Sequence, residues 1–573
     1  MWRILALARP FRRQFIISLI LTVALALTTP LTPFFIQKTV DNHIMRFDAN
    51  GLLWMTFLLI ALTIVQSVLR YYFIFMTNWL GQSVIRNLRV SVFSHVLGLR
   101  MRYFDTTPIG TSTTRTINDI ETINDIFSDG IISILADLLT MIAVIIFMFF
   151  QDWRLTLVCL SSMPVIIIAT YIFKEKVKVA FNTLRNQVAR MNAFLQEHIS
   201  GMKIVQIFRA EHHEMQAFQN INKDYTRANI KAIWYYSIFF PVIEIISAAA
   251  VGLLVWYGAN QVVTARIDLG LLIAFYMYIN LLFRPLRMLA DKFNQLQMGM
   301  VASERVFRLL DSNERIENNG TIAPERIHGR IEFDHVWFSY NEEDFVLKDV
   351  SFTVEPGQTL AIVGATGSGK TSIINVLNRF YEIQKGSVRV DGVDIKDYDL
   401  QAYRSHIGNV LQDVFLFSGS ILDNITLRNK EMPMEEVMRS AKICGIHDFI
   451  NRLPGKYDYQ VRERGSTLSL GQRQLISFIR TLVYNPAILI LDEATSSIDT
   501  ESEQLIQRAT EKLITNRTSI IIAHRLSTIQ HANRILVMEK GRIVESGTHD
   551  ELLSLEGHYR RLYELQFREQ QAA

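Results

Sequence analysis

Six long apolar runs in the first half of the chain limit its fold more than any other feature of the sequence. A helix needs about 20 residues to cross the apolar core of a bilayer, where the backbone must satisfy its own hydrogen bonds. With a hydrophobic fraction of 49% and a mean hydropathy of +0.18, the chain is expected to carry six transmembrane helices. Pro30 and Pro33 are expected to kink the outer end of the first. The predicted spans are residues 15–36, 52–77, 131–150, 155–173, 237–257 and 269–289.

Lysine and arginine indicate which side of the membrane each connection occupies. The three proposed inner segments, residues 1–13, 78–129 and 174–236, hold 19 of these basic residues, and the three outer loops hold 4. Basic residues accumulate on the cytoplasmic side of membrane proteins. The sequence therefore predicts a multi-pass protein whose N-terminus and second half are both cytoplasmic.

The second and third inner segments are long, and their apolar residues recur every three or four positions among charged ones. This period predicts helices that extend into the cytoplasm. Each segment has a break near its middle, at residues 102–110 and 206–211, which we call the first and second elbow. The apolar side chains of Phe104 and Phe208 are candidates to seat in a groove of the cytoplasmic domain beside Gln412.

Four charged residues fall inside the predicted spans, all toward their cytoplasmic ends: Arg70, Asp137, Glu244 and Arg284. Charged groups at that depth pair with each other or line water. We favour helix-to-helix ion pairs, or an arginine that reaches the interface, over direct contact with a substrate.

The composition divides the chain into a predicted transmembrane domain (residues 1–315), a polar linker (316–328), a soluble α/β domain (329–566) and a short tail (567–573). A net charge of +4 is too small to indicate a nucleic-acid partner. The 2 cysteines do not support a disulfide framework or a cysteine-based metal site.

The stretch GATGSGKT at residues 364–371 fits the phosphate-binding loop pattern G-x-x-x-x-G-K-[ST]. A short apolar run of strand type precedes it at residues 359–363, and residues 372–380 have helical spacing, which is the context that the motif requires. Its glycines let successive N–H groups face phosphate oxygens at the positive end of the helix. Lys370 adds a charge, and the Thr371 hydroxyl is a candidate ligand for Mg²⁺. A chance Gly/Ser loop before a buried helix is the alternative.

A second buried strand, residues 487–491, ends in Asp492 and Glu493. We expect Asp492 to hold Mg²⁺ through water and Glu493 to orient and deprotonate the attacking water. A third strand, residues 518–522, delivers His524 just beyond its carboxyl end, where ligands bind in open parallel sheets.

With these motifs in place, the chain resembles the ATP-binding cassette (ABC) transporters. Tyr340 resembles the aromatic residue that stacks on adenine, and Gln412 the loop glutamine that touches magnesium and responds to the membrane domain. LSLGQ at residues 468–472 resembles the signature motif that contacts the γ-phosphate of ATP held by the other cassette, and Asp499 the aspartate that links the two sites.

The resemblance covers nearly the whole chain and implies ATP and Mg²⁺ as cofactors. Six helical spans with long cytoplasmic extensions, followed by one α/β cassette of ABC ATPase type, resemble the exporter branch known from multidrug and lipid exporters. Glu493, His524 and Lys370 are the expected catalytic residues, and Thr371, Gln412 and Asp492 the expected magnesium ligands. The expected nucleotide-binding residues are Tyr340, Gly364, Thr366, Gly367, Ser368, Gly369, Lys370, Thr371, Ser372, Gln412, Ser469, Gly471, Gln472 and Asp499.

Leu470 stands at the third signature position, where the family usually has glycine. Residues 461–465 match only in part the exporter loop that touches the coupling helices. Ile498 departs from the family's usual pattern, in which a small residue is followed by leucine. In heterodimeric exporters, one subunit keeps the catalytic glutamate and histidine but carries a poor signature, and this chain resembles that subunit.

The predicted function is that of an ATP-hydrolysing exporter subunit in the bacterial cytoplasmic membrane, which moves a hydrophobic small molecule or a lipid. Its expected partner is a second half-transporter, with a heterodimer favoured over a homodimer. A homodimeric lipid flippase is the alternative. An ATP-switched regulator or channel is a less favoured alternative, because intact Glu493 and His524 indicate that the protein hydrolyses ATP.

Overall fold

The structure is a computed structural model that describes residues 2–264, 266–316, 318–341, 344–492, 500–523 and 526–566. The chain folds into two compact units. The membrane unit comprises Met1–Leu97 and Pro108–Asn313, and the cassette unit comprises Gly98–Thr107 and Glu314–Ala573. Residues 98–107, which come before the predicted boundary at Arg315, are grouped with the cassette unit. The predicted domain boundaries stay predictions.

The described residues up to Leu310 form helices α1 to α13. Within the described chain, six stretches are long and apolar enough to cross a membrane, and they include the 49-residue α4 and the 53-residue α12. At 1.5 Å per residue, α12 is about 80 Å long, far more than a bilayer core requires. The predicted cytoplasmic extensions are therefore confirmed as helices. The helices are α1 (Trp2–Leu7), α2 (Arg12–Thr28), α3 (Leu31–Thr39), α4 (Ala49–Leu97), α5 (Met101–Thr106), α6 (Ile109–Thr116), α7 (Asn118–Asp125), α8 (Ile132–Gln151), α9 (Trp153–Leu160), α10 (Met163–Ser200), α11 (Met202–Ile207), α12 (Glu211–Val263) and α13 (Leu269–Leu310).

Buried polar contacts fix the helices of the membrane unit where prolines interrupt them. The first span breaks between α2 and α3 at Thr29 and Pro30, as the sequence predicts. The Tyr278 hydroxyl of α13 donates to the Pro30 carbonyl at 3.0 Å and accepts from Gln151 Nε2 at 3.0 Å. These two bonds join α13 to the break between α2 and α3 and to the end of α8.

The charges inside the spans have two different environments. Asp137 of α8 pairs with Lys292 of α13, so the predicted helix-to-helix ion pair is confirmed for this residue. Arg70, Glu244 and Arg284 are exposed on the surface of the membrane unit. The core beneath them is apolar and formed mainly by α8, α10, α12 and α13.

In its described residues, the cassette unit is an α/β structure with three sheets. The largest has six strands in the order β12-β11-β3-β10-β9-β6, with parallel pairing from β11 to β6 and an antiparallel edge strand β12. Four antiparallel strands form a second sheet in the order β2-β1-β4-β5, and β7 pairs with β8. The strands are β1 (Ile331–Phe338), β2 (Leu347–Val354), β3 (Thr359–Gly364), β4 (Lys385–Val390), β5 (Val393–Asp394), β6 (Ile407–Val410), β7 (Gly419–Ser420), β8 (Gln460–Val461), β9 (Ile488–Asp492), β10 (Thr518–Ile522), β11 (Arg534–Glu539) and β12 (Arg542–Gly547).

The two-sided burial of the central strands explains why most of their residues are apolar. In β3, Leu360 and Ile362 enter the core shared with the four-stranded sheet, whereas Ala361 and Val363 enter the core beneath the helices. Successive residues of a strand point to opposite faces, and both faces are covered here. The cassette helices are α14 (Lys370–Leu377), α15 (Leu400–Ser405), α16 (Ile421–Thr426), α17 (Met434–Ile443), α18 (His447–Arg452), α19 (Leu470–Val483), α20 (Thr500–Ile514), α21 (Leu526–Gln530), α22 (His549–Ser554) and α23 (His558–Gln566).

Candidate functional site

The loop between β3 and α14 follows the backbone path that its glycines allow. Gly364, at the end of β3, has φ +154°, and a Cβ there would lie 2.3 Å from the Met538 carbonyl oxygen. Gly369, just before α14, has φ +103°. Both positions exclude other residues, the first by lack of space and the second by its left-handed backbone. Thr366 and Gly367 are exposed at the tip of the loop.

Lys370 begins α14 and turns back over the loop. Its Nζ donates to the carbonyl oxygens of Gly364 at 2.7 Å and Ala365 at 3.0 Å. Burial lowers the pKa of Lys370, and the nearby charge of Asp492 opposes that shift. The loop therefore holds a buried ammonium group that would be strongly stabilised by an anion.

Strand register brings Asp492 to the same edge of the sheet. Asp492 ends β9 opposite Ile522 of β10, and Ile522 in turn lies opposite Ile362 of β3. Burial raises the pKa of Asp492; Lys370 opposes this shift and Asp413 adds to it. Asp413 was missed from the sequence, although it directly follows Gln412. A lysine and two acidic residues thus meet at the carboxyl edge of the sheet.

The oxygen atoms at this edge suit a magnesium ion. Hydroxyl, amide and carboxylate oxygens, here from Thr371, Gln412 and Asp492, are the ligands that Mg²⁺ prefers. In the described residues, no group of three or more His, Cys, Asp or Glu could hold a metal. Mg²⁺ commonly uses one or two carboxylates together with substrate phosphates. The residues present therefore fit a magnesium ion that binds together with a nucleotide.

Ser368 is a further sign that the loop is built for a polar ligand. Its side chain is buried, and its Oγ has no hydrogen-bond partner among the described residues. A buried hydroxyl without a partner loses its hydration free energy. A phosphate oxygen in the loop would satisfy it.

Tyr340 lies beside α14, with its hydroxyl tied to that helix. Ser372 Oγ is 3.1 Å from the Tyr340 hydroxyl, and Asn375 Nδ2 donates to the same hydroxyl at 2.9 Å. The rings of Phe338 and Tyr381 meet the Tyr340 ring nearly at right angles, with centroids 4.8 Å and 4.9 Å away. The half-buried ring is thus held in one orientation next to the phosphate loop.

The signature segment forms the start of α19, the 14-residue helix from Leu470 to Val483. Ser469 is its N-cap: Ser469 Oγ accepts from Gln472 N at 3.3 Å, and Ser469 N donates to Gln472 Oε1 at 3.0 Å. Leu470 is half-buried and Gly471 is buried. The start of this helix carries the positive end of the helix dipole, which favours anions; the role of the segment toward phosphate stays a prediction.

Three predicted site residues, Glu493, Asp499 and His524, lie outside the described residues. Their positions along the chain follow from their neighbours. Glu493 comes directly after the last residue of β9, and His524 comes two residues after the end of β10.

The fold and the site define a multi-pass membrane protein with a phosphate-loop α/β domain. The chain matches the family model of the ABC transporter transmembrane region over residues 15–286 and that described as ABC transporter over residues 347–496. The chain belongs to the ABC transporter family.

Three relatives illustrate the range of similar proteins. An uncharacterized ABC transporter ATP-binding protein of Bacillus subtilis is 39% identical over 99% of this chain and 94% of its own. A probable multidrug resistance ABC transporter ATP-binding/permease protein of the same organism is 38% identical over 92% and 80%. An ATP-dependent lipid A-core flippase of Syntrophus aciditrophicus is 33% identical over 99% and 94%.

Membership confirms the predicted class. A transmembrane region followed by one nucleotide-binding domain in the same chain is the arrangement of an ABC exporter half-transporter, an ATPase coupled to transport. The confirmed fold is a helical membrane part followed by an ABC-type α/β domain.

Proposed function

We propose that this chain is one half of an ATP-driven exporter in a bacterial cytoplasmic membrane. The observation that carries the proposal is the meeting of Lys370, the phosphate loop and Asp492 at one sheet edge, in a chain whose described residues include six helices long and apolar enough to cross a membrane. Similar proteins with both parts are named for multidrug export and for lipid flipping. We infer a hydrophobic or amphipathic substrate.

Each residue of the site has a proposed role in ATP hydrolysis. Thr366, the loop glycines, Ser368 and Lys370 hold the phosphates, and Tyr340 stacks on the base. Thr371, Gln412 and Asp492 would hold Mg²⁺, which neutralises charge on the outer phosphate oxygens when bound. Glu493 orients and deprotonates water, and His524, which follows the carboxyl end of β10 in the chain, is the third proposed catalytic residue beside Lys370.

A second chain completes the site in this proposal. The N–H groups at the start of α19, with Ser469, Gly471 and Gln472, would face the γ-phosphate held by the other cassette, and Asp499 would link the two sites. Leu470 impairs that contact. We therefore favour a heterodimer in which the partner supplies an intact signature to this chain's site and lacks the catalytic glutamate in its own.

Docking of the cytoplasmic helices is proposed to couple hydrolysis to transport. The cassette exposes an apolar patch next to Gln412, formed by Leu411, Phe415 and Phe417. The second elbow exposes Phe208. Exposed apolar side chains of this size on a cytoplasmic surface favour burial against another protein surface.

Transport by purified protein in vesicles tests the function. ATP-dependent movement of a fluorescent amphipathic dye, or of a headgroup-labelled lipid, is expected for the wild type and lost in Lys370→Ala. The matched control is Glu435→Gln, a change at an exposed residue of α17. If ATP binding without continued hydrolysis instead opened a pathway for passive ion flux, the channel alternative would be supported.

The partner is tested by expressing the chain alone. A heterodimer subunit is expected to purify with ATPase activity that added substrate does not stimulate, and Leu470→Gly is expected to restore stimulation in the homodimer. A stable wild-type homodimer with substrate-stimulated ATPase would overturn the heterodimer proposal and favour the flippase alternative.

A further inference from the structure

Tyr381 lies between the proposed base platform, Tyr340, and the first elbow. It follows α14 by four residues, and its ring stands at 87° to the Tyr340 ring with a centroid distance of 4.9 Å. Phe338 contacts the same two rings, with its centroid 5.8 Å from that of Tyr381. The edge of one ring therefore rests on the face of the other, a geometry that favours a single relative orientation.

The hydroxyl of Tyr381 is bound on its other side. It donates a hydrogen bond to Asp105 Oδ2, in the part of the first elbow that belongs to the cassette unit. Burial and the Asp105 carboxylate both raise the pKa of Tyr381. The phenol therefore remains a donor at neutral pH, and the bond is charge-assisted.

The backbone of this segment is anchored as well. Arg100 N donates to the Glu314 carbonyl at 2.8 Å, and Arg100 Nε donates to the Arg315 carbonyl at 2.7 Å. Asp105 thus projects from a segment that is held in place, and it can restrain Tyr381.

We propose that Tyr381 is a positioning residue for the base platform: through its hydrogen bond to Asp105, it holds the Tyr340 ring in the orientation that stacks on the nucleotide base. The proposal rests on the proposed role of Tyr340. Tyr340 itself is fixed at its hydroxyl by Ser372 and Asn375, so the remaining freedom of its ring is rotation about that anchor. Tyr381 removes this freedom by contact with the ring.

Steady-state ATPase kinetics of the complete transporter test the proposal. Tyr381→Phe keeps the ring contact and removes the hydroxyl, and Asp105→Ala removes the acceptor. Each is expected to raise KM for ATP about fivefold with kcat nearly unchanged, and the double variant is expected to do no more than either single one. Asp105→Asn, which keeps an acceptor oxygen, should restore most of the affinity.

Inorganic tripolyphosphate separates base contacts from phosphate contacts, because it carries no base. Its inhibition constant is expected to be the same for wild type, Tyr381→Phe and Asp105→Ala. If these variants weakened tripolyphosphate binding as much as ATP binding, the positioning role would be overturned. Tyr457→Phe is the matched control, since it removes a hydroxyl bound to His447 Nδ1 at 2.8 Å, and it should leave KM unchanged.

Tyr340→Leu distinguishes failure of this inference from failure of the proposed site. If Tyr340→Leu raises KM for ATP but Tyr381→Phe and Asp105→Ala do not, the link is wrong and the base platform stands. If Tyr340→Leu also leaves KM unchanged, the proposed role of Tyr340 fails, and the positioning role with it.

Discussion

The two elbows differ in how much of their side-chain surface is buried or hydrogen-bonded in the described chain. In the first elbow, Tyr103 is buried, Asp105 accepts a hydrogen bond from Tyr381, and Phe104 is 42% exposed. In the second elbow, Ile207 and Phe208 are 65% and 76% exposed.

This difference shows how much of each elbow is packed within its own unit. Both elbows are breaks between helices with apolar side chains, so local sequence does not distinguish them. The residues of the first up to Thr107 are grouped with the cassette of the same chain. The exposure of the second is what a surface that docks on a second chain would show.

The largest expected effect is loss of hydrolysis without a change in either elbow. Glu493→Gln should lower the ATPase rate about 100-fold or more and leave ATP binding intact, since the general base is lost while the phosphate loop remains. Nucleotide retention measured beside the ATPase rate checks both halves of this expectation. A variant that hydrolyses at half the wild-type rate would remove Glu493 from the catalytic role.

The Glu493→Gln variant also allows a test of whether the second elbow docks on a partner surface. Phe208→Cys in the Glu493→Gln background should react with a maleimide in the monomer and become protected when the dimer closes on ATP. Cys159 and Cys444 are buried and give little background labelling. Labelling of Phe208→Cys that ATP never changes would show that the second elbow has no partner surface.

Phe208→Ala is expected to uncouple transport from hydrolysis. Its side chain has most to gain from burial, so transport should fall about tenfold while basal ATPase stays present. Parallel measurements of dye transport and phosphate release in the same vesicles check this. The matched control is Met215→Ala, an exposed apolar residue of α12 outside the elbow.

Phe104→Ala should have the same effect in a weaker form, because the first elbow keeps its other contacts in the cassette unit. We expect a loss of transport of about threefold, measured in the same assay. If Phe104→Ala proves more damaging than Phe208→Ala, the ranking of the elbows by exposure is wrong.

The smallest expected effect concerns the anchor of the first elbow. Arg100→Ala removes the bond from Nε to the Arg315 carbonyl and should weaken the local structure by about 1 kcal/mol, the usual net value of such a bond. Hydrogen exchange of residues 98–107 should become faster. The corresponding change Arg209→Ala, in the exposed second elbow, should leave exchange there unaltered.

Much of the site was predictable because its chemistry depends on residue types at fixed spacing. The glycines and Lys370 of the phosphate loop, and Asp492 at a strand end, need a short local context, and parallel strands carry their ends to one edge. Asp413 was not predicted, because its approach to Asp492 depends on the pairing of β6 with β9. The roles of Glu493, Asp499 and His524 stay predictions.

By itself, the sequence determined the membrane class, the helical extensions and the nucleotide-binding fold, because long apolar runs and strand–loop–helix motifs are local patterns. Only the tertiary structure decided that residues 98–107 pack within the cassette unit, that Asp137 pairs with Lys292, and that Tyr381 bridges Tyr340 and Asp105. These pairs join residues that lie far apart in the sequence, and their partners are chosen by packing. No local pattern specifies which of several exposed aromatic or charged side chains will meet.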